Sequence, residues 1–397
     1  MNSIRIRRAA AVVVLTLATA AGVSAQDRPA EFEGYRAPGL TFLPGISLGV
    51  VRDSNVALAS TVDRPASGQL FVVEPFGQLE LISPLTEFVA GYKGHMRRYT
   101  NVEQLNGMDH RLYLSVRRMA TRRLTVFAGN DYADVPTTDE VELNGLPFTR
   151  TGARSNRLTA GIEARLSKYT DLNVRYESLW VKFDRTVPFP SDGWVNAVQT
   201  DLRRRLSERL SVGAEYGIRR ADLQDGARTV LFQDIGGLVA YAVGPHTRVE
   251  FSGGFSFVVD TRLDRDRRGP YVRGEISHDV ERATIGGSFE RSFVPTFGFG
   301  GTSESHELRG YVRMPLHRNR LYVQSTGLWR RTSPLLVDEF ALDTLRASNT
   351  LGYAAVRWLR LEAYHIFTRQ DSRIAGGEVN RQRAGVQVVF SQPMRIR

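Results

Sequence analysis

Between Ile46 and Gln392 the sequence repeats one short amphipathic unit about eighteen times, and the gaps between units alternate in length, one long and one short. The segment Leu210 to Arg219 shows the unit. Leu210, Val212, Ala214, Tyr216 and Ile218 share one face; Ser211, Gly213, Glu215, Gly217 and Arg219 share the other. Successive side chains of a strand point to opposite faces, so a period of two signals a strand. An apolar face backed by a charged one suits a wall between lipid and water. Repeated this often, the pattern predicts an all-β fold: a transmembrane antiparallel up-and-down β-barrel of sixteen to eighteen strands.

The first 25 residues suggest how such a chain reaches its membrane. Arg5, Arg7 and Arg8 precede an apolar run from Ala9 to Ala21, and Val23-Ser24-Ala25 supplies small residues before Gln26. The run is too short for a spanning helix and reads as a secretory signal cleaved after Ala25. The organisation expected is therefore a signal peptide at 1–25, an irregular periplasmic leader at 26–45 and a barrel at 46–397. Short turns would face the periplasm and long loops the exterior, as in bacterial outer-membrane barrels. An even strand count then puts both chain ends on the periplasmic side. Trp180, Trp194 and Trp329 fall near loop ends and Trp358 at a short turn, positions suited to two interfacial girdles.

Composition agrees with this class. Hydrophobic residues make up 42% of the chain and the mean hydropathy is −0.26, too polar for a bundle of membrane helices but suitable for a wall with one wet face. The chain has no cysteine. The formal charge is +11, and all basic residues except Lys93, Lys168 and Lys182 are arginines, side chains that grip carboxylates and phosphates with a planar fork. They are scattered along the strands rather than clustered, which argues against nucleic acid as a partner. The partners expected are outer-membrane lipid and lipopolysaccharide, the outer-membrane assembly machinery and polysaccharide export components.

Alternation assigns a lumenal set. Arg111, Arg117, Glu163, Arg165, Arg175, Glu177, Glu215, Arg219, Arg248, Glu250, Arg273, Glu275, Arg309 and Arg313 all fall on the polar faces. In a wide barrel, opposed rows of arginine and acid would set a transverse field that sorts solutes; in a narrow one they would pair and plug the lumen. The positive surplus points to a weak anion preference. The 19-residue segment Val135–Ala153 is the candidate constriction, because loops this long usually have a function. The acidic pair Asp139-Glu140 within it reads as solvated.

No catalytic, metal or cofactor site is expected. Ser305 and His306 are adjacent and would point to opposite faces. The seven histidines lack metal-ligand spacing. Phe297-Gly-Phe-Gly-Gly301 reads as a flexible loop with no strand-to-helix context for phosphate.

At Leu48 to Asn55 the first strand ends on Asp53-Ser54-Asn55, with Val73 to Leu81 and Gly91-Tyr92 in the next two strands. In these features the chain resembles the β-barrel porin-2 group of outer-membrane proteins. The resemblance implies a passive porin-like channel or a secretion-linked pore, with saccharide or exopolysaccharide traffic. The chain departs from most such barrels at its end, where Phe390 is followed by seven further residues instead of closing the chain. Two other readings stay open: a plugged barrel acting through its loops as a structural or adhesive surface protein, and an outer-membrane hydrolase.

Overall fold

The computed structural model describes residues 38–61, 65–141, 143–184, 191–224, 226–260, 266–280, 282–297, 301–316, 320–335, 341–372 and 377–396. The expected signal and most of the expected leader, with the cleavage expected after Ala25, lie outside these residues. Eighteen strands follow one another: β1 (Gly39–Asp53), β2 (Gly68–Ile82), β3 (Thr86–Tyr99), β4 (Gly107–Thr121), β5 (Leu124–Val135), β6 (Ala153–Arg165), β7 (Thr170–Phe183), β8 (Gly193–Arg205) and β9 (Leu210–Leu223) form the first half. The second half comprises β10 (Arg228–Ala242), β11 (Thr247–Asp260), β12 (Arg267–Val280), β13 (Ala283–Thr296), β14 (Gly301–Leu316), β15 (Leu321–Pro334), β16 (Leu342–Val356), β17 (Leu359–Ser372) and β18 (Gly377–Ser391). Each pairs antiparallel with its sequence neighbours, and β1 pairs with both β2 and β18. The sheet therefore has no open edge: it is a closed eighteen-stranded antiparallel barrel.

Two ends differ from expectation. β1 begins at Gly39, so residues 39–45 of the expected leader are strand. A further short strand, β19 (Met394–Ile396), follows Pro393 and pairs with Leu40–Phe42 of β1. Proline has no N–H to donate and interrupts the ladder, but the chain resumes pairing beyond it.

The alternation of the sequence becomes the two faces of the wall. On β11, Phe251, Phe255, Phe257 and Val259 face outward, with Phe255 63% exposed, while Ser252, Ser256, Val258 and Asp260 are buried inside. All four tryptophans are on the outer face; Trp180 and Trp194 are register partners, and Trp194 Nε1 donates to Ser178 Oγ at 2.7 Å. A band of exposed apolar side chains around a closed sheet would be an aggregation hazard in water and is the expected surface in lipid. Inside, aromatic rings lie flat over glycines of the next strand. Tyr113 covers Gly91, Tyr322 covers Gly352 and Tyr364 covers Gly385, and a Cβ on any of these glycines would collide with the ring. The rings thereby line the wall instead of crossing the lumen.

Two dry clusters sit at the long-loop end. The larger joins the inward ends of β5 to β11, among them Val135, Phe183, Leu223, Phe232 and Val258, to Leu143 and Leu146 of the β5–β6 loop and to Phe293 and Phe297 of the β13–β14 hairpin. The smaller gathers Val51, Val56, Leu70, Val72 and Tyr99 on the β1–β3 side. Phe297 is therefore a packing residue, not part of a free loop.

Candidate functional site at the long-loop mouth

The β5–β6 loop folds into the barrel. Its own shape is set by Thr138, whose hydroxyl donates to the Pro147 carbonyl at 2.6 Å and accepts from the Thr149 N–H at 2.6 Å, closing the loop on itself. Gly145 adopts φ +62° and lies so close to Thr296 that a side chain would collide. Glycine is the residue that meets both demands without strain.

The loop then reaches the far wall. Arg330 on β15 donates to the Leu143 carbonyl at 3.0 Å, and Arg346 on β16 to the Asp139 carbonyl at 3.1 Å. Gln370 on β17 donates to the Leu146 carbonyl at 3.0 Å and accepts from the Phe148 N–H at 2.7 Å. Counted around the closed sheet, β15 stands eight strands from β5; nine would be diametrically opposite. The loop thus spans the mouth rather than lying along one side of it.

Its acidic pair is the anchor. Arg381 on β18 holds Asp139 Oδ2 at 2.7 Å with one nitrogen of its guanidinium and Asp53 Oδ2 at 2.6 Å with another. These side chains are 3%, 1% and 0% exposed, respectively. Arg383 holds Glu140 at 2.8 Å, and Arg111 on β4 approaches it to 4.0 Å. The expectation that Asp139 and Glu140 are solvated is therefore corrected. Burial alone would raise both carboxyl groups, but Arg381 and Arg383 more than offset it and hold both below the usual carboxylate range. Asn55 completes the corner: it donates to the carbonyls of Ala59 and Asn380 at 2.7 and 3.1 Å, tying the β1–β2 loop to β18.

Beneath this latch lies a cavity of about 240 Å³, bounded by β1–β3, β16–β18 and Glu140. Glu74 is held there by Lys93 at 3.0 Å and His95 at 2.6 Å. Glu362 accepts from Tyr322 and Gln387, each at 2.5 Å. The surface offers hydroxyls, amides and paired charges to a polar solute. Among the described residues no group of histidines and acids could hold a metal ion. Ser305 is buried, while His306 bonds Glu304 at 2.9 Å.

The fourteen residues expected in the lumen fall on the inward face by register, and, among the described residues, ten of them form ion pairs along the wall. Arg117 bonds Glu163 through Nη1 at 2.8 Å, Arg165 approaches Asp171 at 3.8 Å and Arg175 approaches Glu177 at 3.6 Å. Arg219 meets Asp234 at 3.1 Å and the Phe293 carbonyl at 2.9 Å. Glu250 takes both nitrogens of Arg203 at 2.6 and 2.8 Å, with Arg248 at 3.7 Å. Arg273 meets Glu290 at 3.4 Å, and Arg309 pairs with Glu307, which also binds Arg330. Glu215 lies opposite Asp201 and Gly236, Glu275 opposite Glu250 and Ser288, and Arg313 opposite Thr284 and Gln324. Of this set, Arg111 reaches the loop at Glu140. Asp53, Arg330, Gln370, Arg381 and Arg383 did not emerge from alternation, which assigns a face but not a partner. One local signal was present: Val141, Leu143, Leu146 and Phe148 are too apolar for a solvated loop.

No family model matches the chain, and no curated protein matches it. Among solved structures it is similar to OccAB4 of Acinetobacter baumannii, with a TM-score of 0.47 and 10% identity over 90% of this chain and 99% of that one. OpdK of Pseudomonas aeruginosa, solved with vanillate, gives 0.44 and 9% over 89% and 99%. The siderophore receptor PirA from Pseudomonas aeruginosa gives 0.44 and 8% over 90% and 80%. The architecture stands on the strand pairing itself.

Proposed function

We propose that this chain is a passive, porin-like channel of the outer membrane whose outer mouth is held shut by the β5–β6 loop. One observation carries the reading: a closed barrel with an apolar exterior and a polar lumen has its long-loop end bridged by its own loop, anchored through Arg381 to Asp53 and Asp139. Eighteen strands leave an aqueous channel unless something fills it, so this loop sets the conducting cross-section. For the solute we propose a saccharide, on the resemblance to the porin-2 group; the hydroxyl and amide lining below the latch supports a hydroxyl-rich cargo. The lumenal arginine surplus supports a weak anion preference. Lipopolysaccharide around the loops, the outer-membrane assembly machinery and export components complete the proposed setting.

A second reading has its own support. A latch this well buried also suits a permanently plugged barrel that acts through its surface loops. Single-channel recording of the refolded chain from Gln26 to Arg397 separates the two. The native chain should give small or rare steps, and a variant with residues 138–149 replaced by a short Gly-Ser link should give large discrete ones. If the shortened variant is folded and still silent, the channel reading fails and the structural one stands.

A further inference from the structure

Exposed cations recur on the short-turn rim, at Arg282, Arg320 and Arg357 as well as along one arc. Along the arc from β4 to β9, three successive turns carry Arg122 and Arg123, Lys168, and Arg209 beside Glu208, all exposed. Four residues before Arg122 and five before Arg209, Arg118 and Arg204 point outward, away from the lumen. Arg118 lies opposite Thr86 and Val126 in register, and Arg204 lies opposite Thr170 and Val212. The surroundings repeat as well. Thr86 and Thr170 each end a four-residue turn opened by a serine, whose N–H donates to the threonine carbonyl at 2.8 and 3.2 Å. Among the described residues neither Arg118 nor Arg204 has an acidic partner, whereas the inward Arg117 and Arg165 are paired with Glu163 and Asp171.

The turn tips are apolar. Leu85, Leu166, Tyr169 and Leu206 are 49 to 57% exposed beside these cations. Leucines stand at three of the four short-turn tips from β2 to β9 beside these cations, and hydrocarbon alone does not account for unpaired arginines. The boundary between acyl chains and headgroups accommodates both, with the leucine in the apolar layer and the guanidinium reaching out to a phosphate. A guanidinium binds phosphate oxygens with two parallel hydrogen bonds. The neighbouring threonine hydroxyl adds a third donor.

We propose that the β3–β9 arc is a binding strip for anionic phospholipid headgroups in the leaflet that meets the short turns, with Arg118–Thr86 and Arg204–Thr170 as two equivalent phosphate clamps. The proposal rests on the membrane reading given above. The net positive charge of the arc selects anionic over zwitterionic headgroups.

The test uses the full chain reconstituted into vesicles of phosphatidylcholine and phosphatidylglycerol in equal amounts. The barrel is then extracted and the lipids it retains are quantified by native mass spectrometry. The native protein should enrich phosphatidylglycerol, and the enrichment should fall by about fivefold for each of Arg118→Gln and Arg204→Gln. Arg282→Gln with Arg357→Gln, on the same rim outside the arc, should leave it unchanged. Heat-modifiable migration verifies that each variant is folded. Equal enrichment in native and R118Q/R204Q protein overturns the clamps while leaving the channel reading intact. Absence of enrichment together with binding of a polyglutamate peptide in solution assigns the strip to an acidic protein and also overturns them. A barrel that fails to enter pure phosphatidylcholine vesicles overturns the clamps and the membrane reading together.

Discussion

Arg381 shows what one side chain does in this barrel. Its guanidinium satisfies Asp53, the last residue of β1, and Asp139, in a loop 242 residues away in sequence. Removing one member of a buried ion cluster leaves the others charged and unpaired, which costs about 3–5 kcal/mol. Arg381→Ala should therefore lower the urea midpoint of the micelle-refolded barrel by an amount equivalent to that loss. Arg117→Ala, in the half-exposed wall pair with Glu163, should cost about 1 kcal/mol or less. Equal effects would mean that the cluster is no more than another wall pair. The residue scale was only partly legible in sequence. Asp53 stood out as the end of the first strand, but Asp139 and Glu140 read as solvated because a carboxylate's burial depends on partners that close approach alone supplies.

At the level of elements, the loop from Val135 to Ala153 behaves as a crossbar. Its ends are fixed by β5 and β6, its middle by carbonyl contacts to β15, β16 and β17, and its acids by β18. The sequence marked this loop by its length. It did not mark where the loop goes, because Arg330, Arg346 and Gln370 are ordinary inward polar residues until the sheet closes. The charge state of the crossbar gives a pH prediction. Asp139 and Glu140 have folded-state pKa values below those of the unfolded chain. Their contribution to stability is thus present above the ordinary carboxylate value, roughly 4, and is lost only as the pH falls through the depressed values. Protease protection of the loop should stay constant from neutral pH down to about 4, and release should begin only in stronger acid. Release near pH 5 to 6 would show that the carboxylates are not held by Arg381 and Arg383.

For the whole molecule, closure sorts every strand residue to lipid or to lumen, and the absence of native cysteine makes that sorting directly measurable. A single cysteine at Phe255, on the outer face, should resist a charged maleimide in vesicles and react with a lipid-soluble one; a cysteine at Gln199, on the inner face, should react with the charged reagent. The reverse pattern would turn the barrel inside out and reject the membrane reading. By itself the sequence determined the strand count to within sixteen to eighteen, the face of each residue and which end carries long loops, because a period of two and the spacing of turns are local properties of the chain. Small departures came where local signals fail: β1 starts early, at Gly39, and β19 resumes after Pro393. Only the tertiary structure decided that the inward charges pair along the wall, that Phe297 and the β5–β6 loop seal against the ends of β5 to β11, and that two aspartates share one arginine. Those outcomes depend on residues brought together across a closed sheet, and alternation along a strand holds no information about what stands on the opposite wall.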